Sequence, residues 1–178
     1  MKKLSTILAI GLSMGFANGL SATAVANETI TMNAVNDKGV AEAVGEIEVS
    51  ESQYGLVFEP ALKDMAPGMH GFHMHANASC EPGKKEGKMA AAVSAGGHFD
   101  PKNTQAHGEP WGEGHLGDLP PLYVTQAGEV DQPVLAPRLT MKDLKGHAFI
   151  VHADGDNFAD QPKKLGGGGA RVACGLFK

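Results

Sequence analysis

Short runs in which apolar and polar residues alternate recur along the chain, and a helical period holds almost nowhere. "TITMNAV" (29–35) puts Ile30, Met32 and Ala34 on one face, and "GEIEVS" (45–50) alternates Ile47 and Val49 with glutamates. "YGLVFEP" (54–60) alternates Leu56 and Phe58, and "HAFIVHA" (147–153) and "RVACGLF" (171–177) read as two more strands. The stretch "LTMKDLKG" (139–146) fits one helical turn. Glycine, at 24 residues of 178, is nearly twice its usual share of about 7%, which suits a turn-dense all-β chain. No repeat with a period of about 20–50 residues is visible. Residues 76–121 and 153–170 resist a strand reading; loops of that length in a small domain are usually functional or disordered, and a metal and a disulfide would order them. The expected fold is an antiparallel β barrel or sandwich bearing two long loops.

The first 26 residues differ from the rest. Lys2 and Lys3 precede an apolar run thinned by Gly, Ser and Asn, which ends in Ala24-Val25-Ala26. That is the layout of a secretory signal peptide, with cleavage expected after Ala26. No cysteine follows the run, which argues against a lipid anchor. Residues 27–178 are then expected to form a single domain, located in the periplasm and with no membrane segment in its mature form.

Charge and cysteine count narrow the class further. The formal charge of −5 becomes −7 once Lys2 and Lys3 are removed, with 13 basic against 20 acidic residues. Without a basic stripe, nucleic acid is not an expected partner. The two cysteines, Cys80 and Cys174, allow one intramolecular pairing, and an exported chain favours the disulfide. Closing a loop of that size is worth roughly 4–5 kcal/mol in chain entropy.

The candidate chemistry lies in the histidines. On a strand, residues i and i+2 share a face about 6.6 Å apart, so His73 and His75 in "GFHMHA" can converge on one ion. His70 points the other way, with Phe72 and Met74, and reads as a hydrogen-bonded structural residue. His152 shares the face of Ile150 and Ala148, whereas His147 falls on the opposite face as a surface or packing residue. The long loop supplies His98, His107, and His115 with Asp118 at i and i+3. Three histidines and one carboxylate make a closed set suited to structural zinc. An all-histidine set with one side open suits copper.

These motifs together resemble the copper–zinc superoxide dismutases of the bacterial exported type. "GFHMHA", "AGGHFDP", "GHLGDLP", "VHADGDN" and "LGGGGARVACG" match that family in order and spacing over roughly residues 28–178. The resemblance implies an all-β, eight-stranded Greek-key antiparallel sandwich or flattened barrel with two long metal-site loops. It implies one copper per subunit on His73, His75, His98 and His152, and one zinc per subunit on His98, His107, His115 and Asp118, with His98 bridging. Asp156 matches a carboxylate linking a copper histidine to a zinc histidine, Arg171 an arginine that attracts the anion, and Cys80–Cys174 the family disulfide. The implied reaction is dismutation of superoxide to dioxygen and hydrogen peroxide through alternating Cu(II) and Cu(I), with protection of the cell envelope. In it, His98 carries a proton and Arg171 guides the substrate.

Lys84, Lys85 and Lys88 are candidates to steer a small anion toward a negatively charged protein, although solvated loop charges would look the same. Trp111 either marks a homodimer contact or packs under its own loop, and the homodimer is preferred to a monomer. A metal buffer would need the histidines but not Arg171. A zinc hydrolase would need an open zinc position, which the three-histidine, one-carboxylate set does not leave.

Overall fold

The computed structural model describes residues 27–177, so the expected signal peptide (1–26) lies outside the described residues. The chain forms β1 (Glu28–Asn36), β2 (Gly39–Ser52), β3 (Gly55–Leu62), β4 (Gly68–His70), β5 (Phe72–His75) and β6 (Gly83–Lys85). These are followed by β7 (Lys88–Ala90), β8 (Leu122–Val124), β9 (Val134–Ala136), β10 (Ala148–His152) and β11 (Arg171–Leu176). Seven strands make one antiparallel sheet in the order β5-β10-β11-β1-β2-β3-β9, and β4 pairs with β8 beside it. Because β4 and β5 are one run broken at Gly71, the sheet and β8 together comprise eight runs, the number expected. Among the described residues no helix is long and apolar enough to cross a membrane.

Alternation explains which face each strand buries. Ile30 and Met32 of β1, Ile47 and Val49 of β2 and Leu56 and Phe58 of β3 all enter the main core. Past Met32 the pairing of β1 with β2 shifts register, and Val35 rather than Ala34 becomes the buried residue. The phenyl rings of Phe58, Phe72 and Phe149 meet with centroids 5.6–6.1 Å apart, each worth roughly 1.5–3 kcal/mol in burial.

β10 is buried along its whole length, which an alternating reading does not anticipate. Its Phe149 and Val151 face the main core, while Ala148 and Ile150 pack in a second cluster with Ala92, Ala95, Cys80 and Cys174. The disulfide joins Cys80 and Cys174 with their Cα atoms 5.8 Å apart. It fastens the loop after β5 over the outer face of the sheet, and that covered face holds the histidines.

The long loop of residues 76–121 is less irregular than its composition suggests. It contains the β6–β7 hairpin and a one-turn 3-10 helix at Val93–Ala95. Lysine at Lys84, Lys85 and Lys88 hides the hairpin from a hydrophobic-period reading. The expected helical turn near 139–146 is a 3-10 turn, Met141–Asp143, capped by Thr140.

Candidate metal centre

β5 has β10 on one side and an open edge on the other, and the loop docks on that edge. Met74 donates its N–H to the Gly117 carbonyl, Phe99 donates to Met74, and Ala76 donates to Gly97, each at 2.9 Å. Gly117 lies so close that a Cβ would collide with the Met74 carbonyl. His98 and Asp118 are thereby brought opposite His75 and His73. On the other side, the β5–β10 register sets Ile150 opposite His73 and Ala148 opposite His75, so His152 continues their face. Arg171 stands opposite His152 on β11.

Two buried groups of donors result. One comprises His73, His75, His98 and His152; the other His98, His107, His115 and Asp118; within each, the donor atoms lie within 4.8 Å of one another. His98 belongs to both. A third association joins His73 and His107 through Asp156, whose Oδ2 lies 2.6 Å from His73 Nε2 and whose Oδ1 lies 2.8 Å from His107 Nε2.

The hydrogen bonds decide which nitrogens remain for a metal. His73 spends Nε2 on Asp156, and its Nδ1 is the one buried side-chain polar atom without a partner among the described residues. A carbonyl only accepts, so His75 donates through Nδ1 to Gly96 at 2.9 Å and keeps a lone pair on Nε2, 3.4 Å from His152 Nε2. Bare nitrogens buried face to face are costly unless a cation lies between them. In the second group, Oδ1 of Asp118 faces Nδ1 of His98, His107 and His115 at 2.8, 2.9 and 3.2 Å. That set offers three nitrogens and one oxygen with no open side, the pattern of structural zinc. The all-nitrogen set suits copper, and it opens on a cavity through which a small ligand could reach the ion.

Electrostatics separate the two groups. Burial, with His98 and Arg171 beside it, holds His75 well below the ordinary histidine value. Burial and then His73 do the same to His152. Burial, reinforced by His73, lowers His98 to about 3, and burial outweighs Asp156 at His73. These rings are neutral at pH 7 and present lone pairs. At His107 burial also works downward, but the Asp118 and Asp156 carboxylates prevail and raise it to about 9. Both carboxylates are held far below the usual range, because their histidine hydrogen bonds outweigh burial.

The cavity over the first group has a volume of about 500 Å³ and is lined by His75, His98, His152, Arg171 and glycines of the 166–169 run. Arg171 is fixed by two backbone acceptors, the Ala92 and Gly96 carbonyls. Among the described residues it is in ion-pair contact with no carboxylate, although Glu86 and Asp154 also line the cavity. Of the three lysines singled out in the sequence, Lys85 lines this cavity and Lys84 and Lys88 do not; Lys163 and Lys164 line it instead. Sequence reading missed those two because they lie some 80 residues from Lys85 in a polar loop that alternation cannot place. It also missed Asp160, whose carboxylate accepts from the His107 and Leu165 N–H groups at 2.9 and 3.0 Å and so ties the two long loops together. Gly166 covers the Asp156–His107 link with φ +70°, and a Cβ there would overlap both side chains.

The two histidines set apart in the sequence lie elsewhere. His70 is buried, its ring nitrogens 2.6 Å from the His152 carbonyl and 2.8 Å from the Ala66 carbonyl. His147 packs on Phe99 with centroids 4.0 Å apart and donates to the His75 and Ala76 carbonyls.

Comparison with known proteins agrees with this geometry. The family model for copper/zinc superoxide dismutase matches residues 43–177. The superoxide dismutase [Cu-Zn] of Photobacterium leiognathi is 51% identical over 180 residues, covering 100% of both chains. That of Escherichia coli K12 is 50% identical over 179 residues, again covering 100% of both. Among solved structures, the Cu/Zn superoxide dismutase from Brucella abortus superposes with a TM-score of 0.84 at 44% identity, covering 86% of this chain and 100% of that one. The monomeric copper, zinc superoxide dismutase from Salmonella enterica gives 0.78 at 51% identity, with the same coverage.

Proposed function

This chain belongs to the copper/zinc superoxide dismutase family, an oxidoreductase family that uses copper and zinc, and from that premise we propose which residues do the work. The observation that carries the assignment is the pair of buried donor groups sharing His98, one closed and one facing a cavity where Lys85, Lys163, Lys164 and Arg171 outnumber Glu86 and Asp154. In this reading His73, His75, His98 and His152 hold copper, and His98, His107, His115 and Asp118 hold zinc. Copper, when bound, supplies the one-electron oxidation and reduction that no side chain here can perform.

The chain's own residues do the rest. Arg171 binds the superoxide anion at the mouth of the cavity, and Lys85, Lys163 and Lys164 make that mouth locally positive on an acidic protein. Such focusing can raise on-rates by about 10–1,000-fold. His98 points Nδ1 at Asp118, which leaves Nε2 to take up a proton and deliver it to the reduced substrate. Asp156 holds His73 and His107 in fixed orientations, the usual work of a carboxylate behind a metal-bound histidine. The Cys80–Cys174 disulfide and the second apolar cluster keep the Gly96 carbonyl, and therefore Arg171, in place.

Location and assembly follow from the same reading. Residues 1–26 act as a signal peptide and the mature chain, 27–178, protects the cell envelope from the periplasm. Trp111, 69% exposed, is the contact of a homodimer, and sedimentation of the mature protein separates this from a monomer. The functional test is dismutation by the protein loaded with both metals, with and without a copper chelator. Rapid dismutation that the chelator abolishes supports the reading; tight metal binding with no dismutation would make the chain a metal buffer.

A further inference from the structure

One arginine close to the closed donor group has no part in dismutation as described. Arg138 follows β9, at the edge of the sheet opposite β5. It is half-buried, and no carboxylate lies within ion-pair distance of it among the described residues, where the ion pairs are all between histidine and aspartate. Its three guanidinium nitrogens instead each donate to a backbone carbonyl of a single loop. Nε reaches Pro110 at 2.7 Å, Nη1 reaches Gly114 at 3.0 Å and Nη2 reaches His115 at 2.6 Å.

That loop needs an external hold. Gly114 approaches the donor group so closely that a Cβ would lie 2.6 Å from the Gly108 nitrogen and 2.8 Å from Asp118 Oδ2, so only glycine fits. With Gly112 two residues earlier, the segment leading into His115 has little conformational preference of its own. His115 is also the loosest member of the group. Its Nδ1 is 3.2 Å from Asp118 Oδ1, against 2.8 and 2.9 Å for His98 and His107, and its side chain is 9% exposed against 2% and 0%. Its backbone is fixed at both ends, by its N–H to the Ala106 carbonyl at 3.0 Å and by its carbonyl to Arg138.

We propose that Arg138 is a positioning residue for the zinc site, tethering the Pro110–His115 loop to the far sheet edge so that His115 meets the ion in the right orientation. The rigid, planar fork of guanidinium donors suits three carbonyls in one loop; an ammonium group is a single point charge and cannot span them. The inference rests on the assignment of His98, His107, His115 and Asp118 to zinc.

The test uses the fully metal-loaded protein and its Arg138→Lys, Arg138→Gln and His115→Ala variants. For each, the rate of zinc transfer to a chromophoric chelator is measured, with a thermal melt and the visible spectrum of protein carrying cobalt at the zinc site. Outer-shell partners of metal ligands typically contribute about 10–100-fold in metal affinity. Both Arg138 variants should therefore lose zinc at least about 10-fold faster than the parent, with altered cobalt bands, and Lys should not rescue. Parental zinc retention and cobalt bands in Arg138→Lys or Arg138→Gln, whatever their melting temperature, would overturn the tether. If His115→Ala also retains zinc like the parent, the zinc assignment fails and the tether with it; if His115→Ala loses zinc while both Arg138 variants keep it, the tether alone fails.

Discussion

Arg171 and His75 meet at one atom: the Gly96 carbonyl accepts from both Arg171 Nη2 and His75 Nδ1. A single backbone oxygen thus sets both the tautomer of one candidate copper ligand and the position of the guanidinium beside it. Arg171→Ala should keep both metals, because His75 retains its Gly96 bond. It should lower kcat/KM by roughly tenfold, within the range of electrostatic focusing, and weaken azide binding. Arg171→Lys should recover part of the loss. Unchanged kcat/KM with full metal content would remove Arg171 from substrate guidance.

The two kinds of histidine should respond differently. His75→Ala removes a lone pair facing His152, and metal analysis should find copper lost and dismutation abolished. His147→Ala removes only hydrogen bonds to the His75 and Ala76 carbonyls and contact with Phe99. Its copper content should stay near normal, with a melting temperature a few degrees lower. The reverse pattern would contradict the assignment.

Asp118→Ala tests the closed group. Asp118 Oδ1 faces three histidines, so its loss leaves three nitrogens without their anion and frees the loop at Gly108. Zinc should be lost first, by more than the roughly 10–100-fold in affinity that an outer-shell partner contributes. Much of the copper should remain, and the protein should melt at a lower temperature. Zinc retained at parental affinity would make Asp118 an ordinary loop carboxylate.

The metal-free protein should weaken in acid. Burial holds His75, His98 and His152 below their ordinary value, His98 to about 3. In the unfolded chain each takes up a proton near pH 6.5, so below that pH the unfolded state binds more protons. Each ring then costs up to about 1.4 kcal/mol per pH unit. His107, raised to about 9, acts oppositely: its contribution is complete below pH 6.5 and disappears as pH rises through 9. Asp118 and Asp156, held low, stabilise above about pH 4 and lose that effect only in stronger acid. Thermal melts of the stripped protein should fall from pH 7 to pH 5 and decline more gently from pH 7 to pH 9. A melt unchanged or rising from pH 7 to pH 5 would contradict the buried neutral rings.

Much of this fold was legible because its long strands alternate. Ile47, Val49, Leu56 and Phe58 declare β2 and β3 directly, and the period of two separates His73 and His75 from His70. β8 and β9 escape notice because each is three residues long, and β6–β7 because lysines replace the apolar positions. Which loop residues would face β5 was legible only through family resemblance. Backbone hydrogen bonds from Met74, Phe99 and Ala76 bring His98 there, and backbone groups carry no sequence signal. Lys163, Lys164, Asp160 and Arg138 were illegible for a related reason: each acts across a long separation in the chain.

In the proposed centre two different metals share His98. Crystals of protein loaded with both metals, measured on either side of the copper and zinc absorption edges, test it most directly. One copper peak is expected among His73, His75, His98 and His152, and one zinc peak among His98, His107, His115 and Asp118, with the His98 ring between them. A single peak, or copper bound away from His73, His75 and His152, would contradict it.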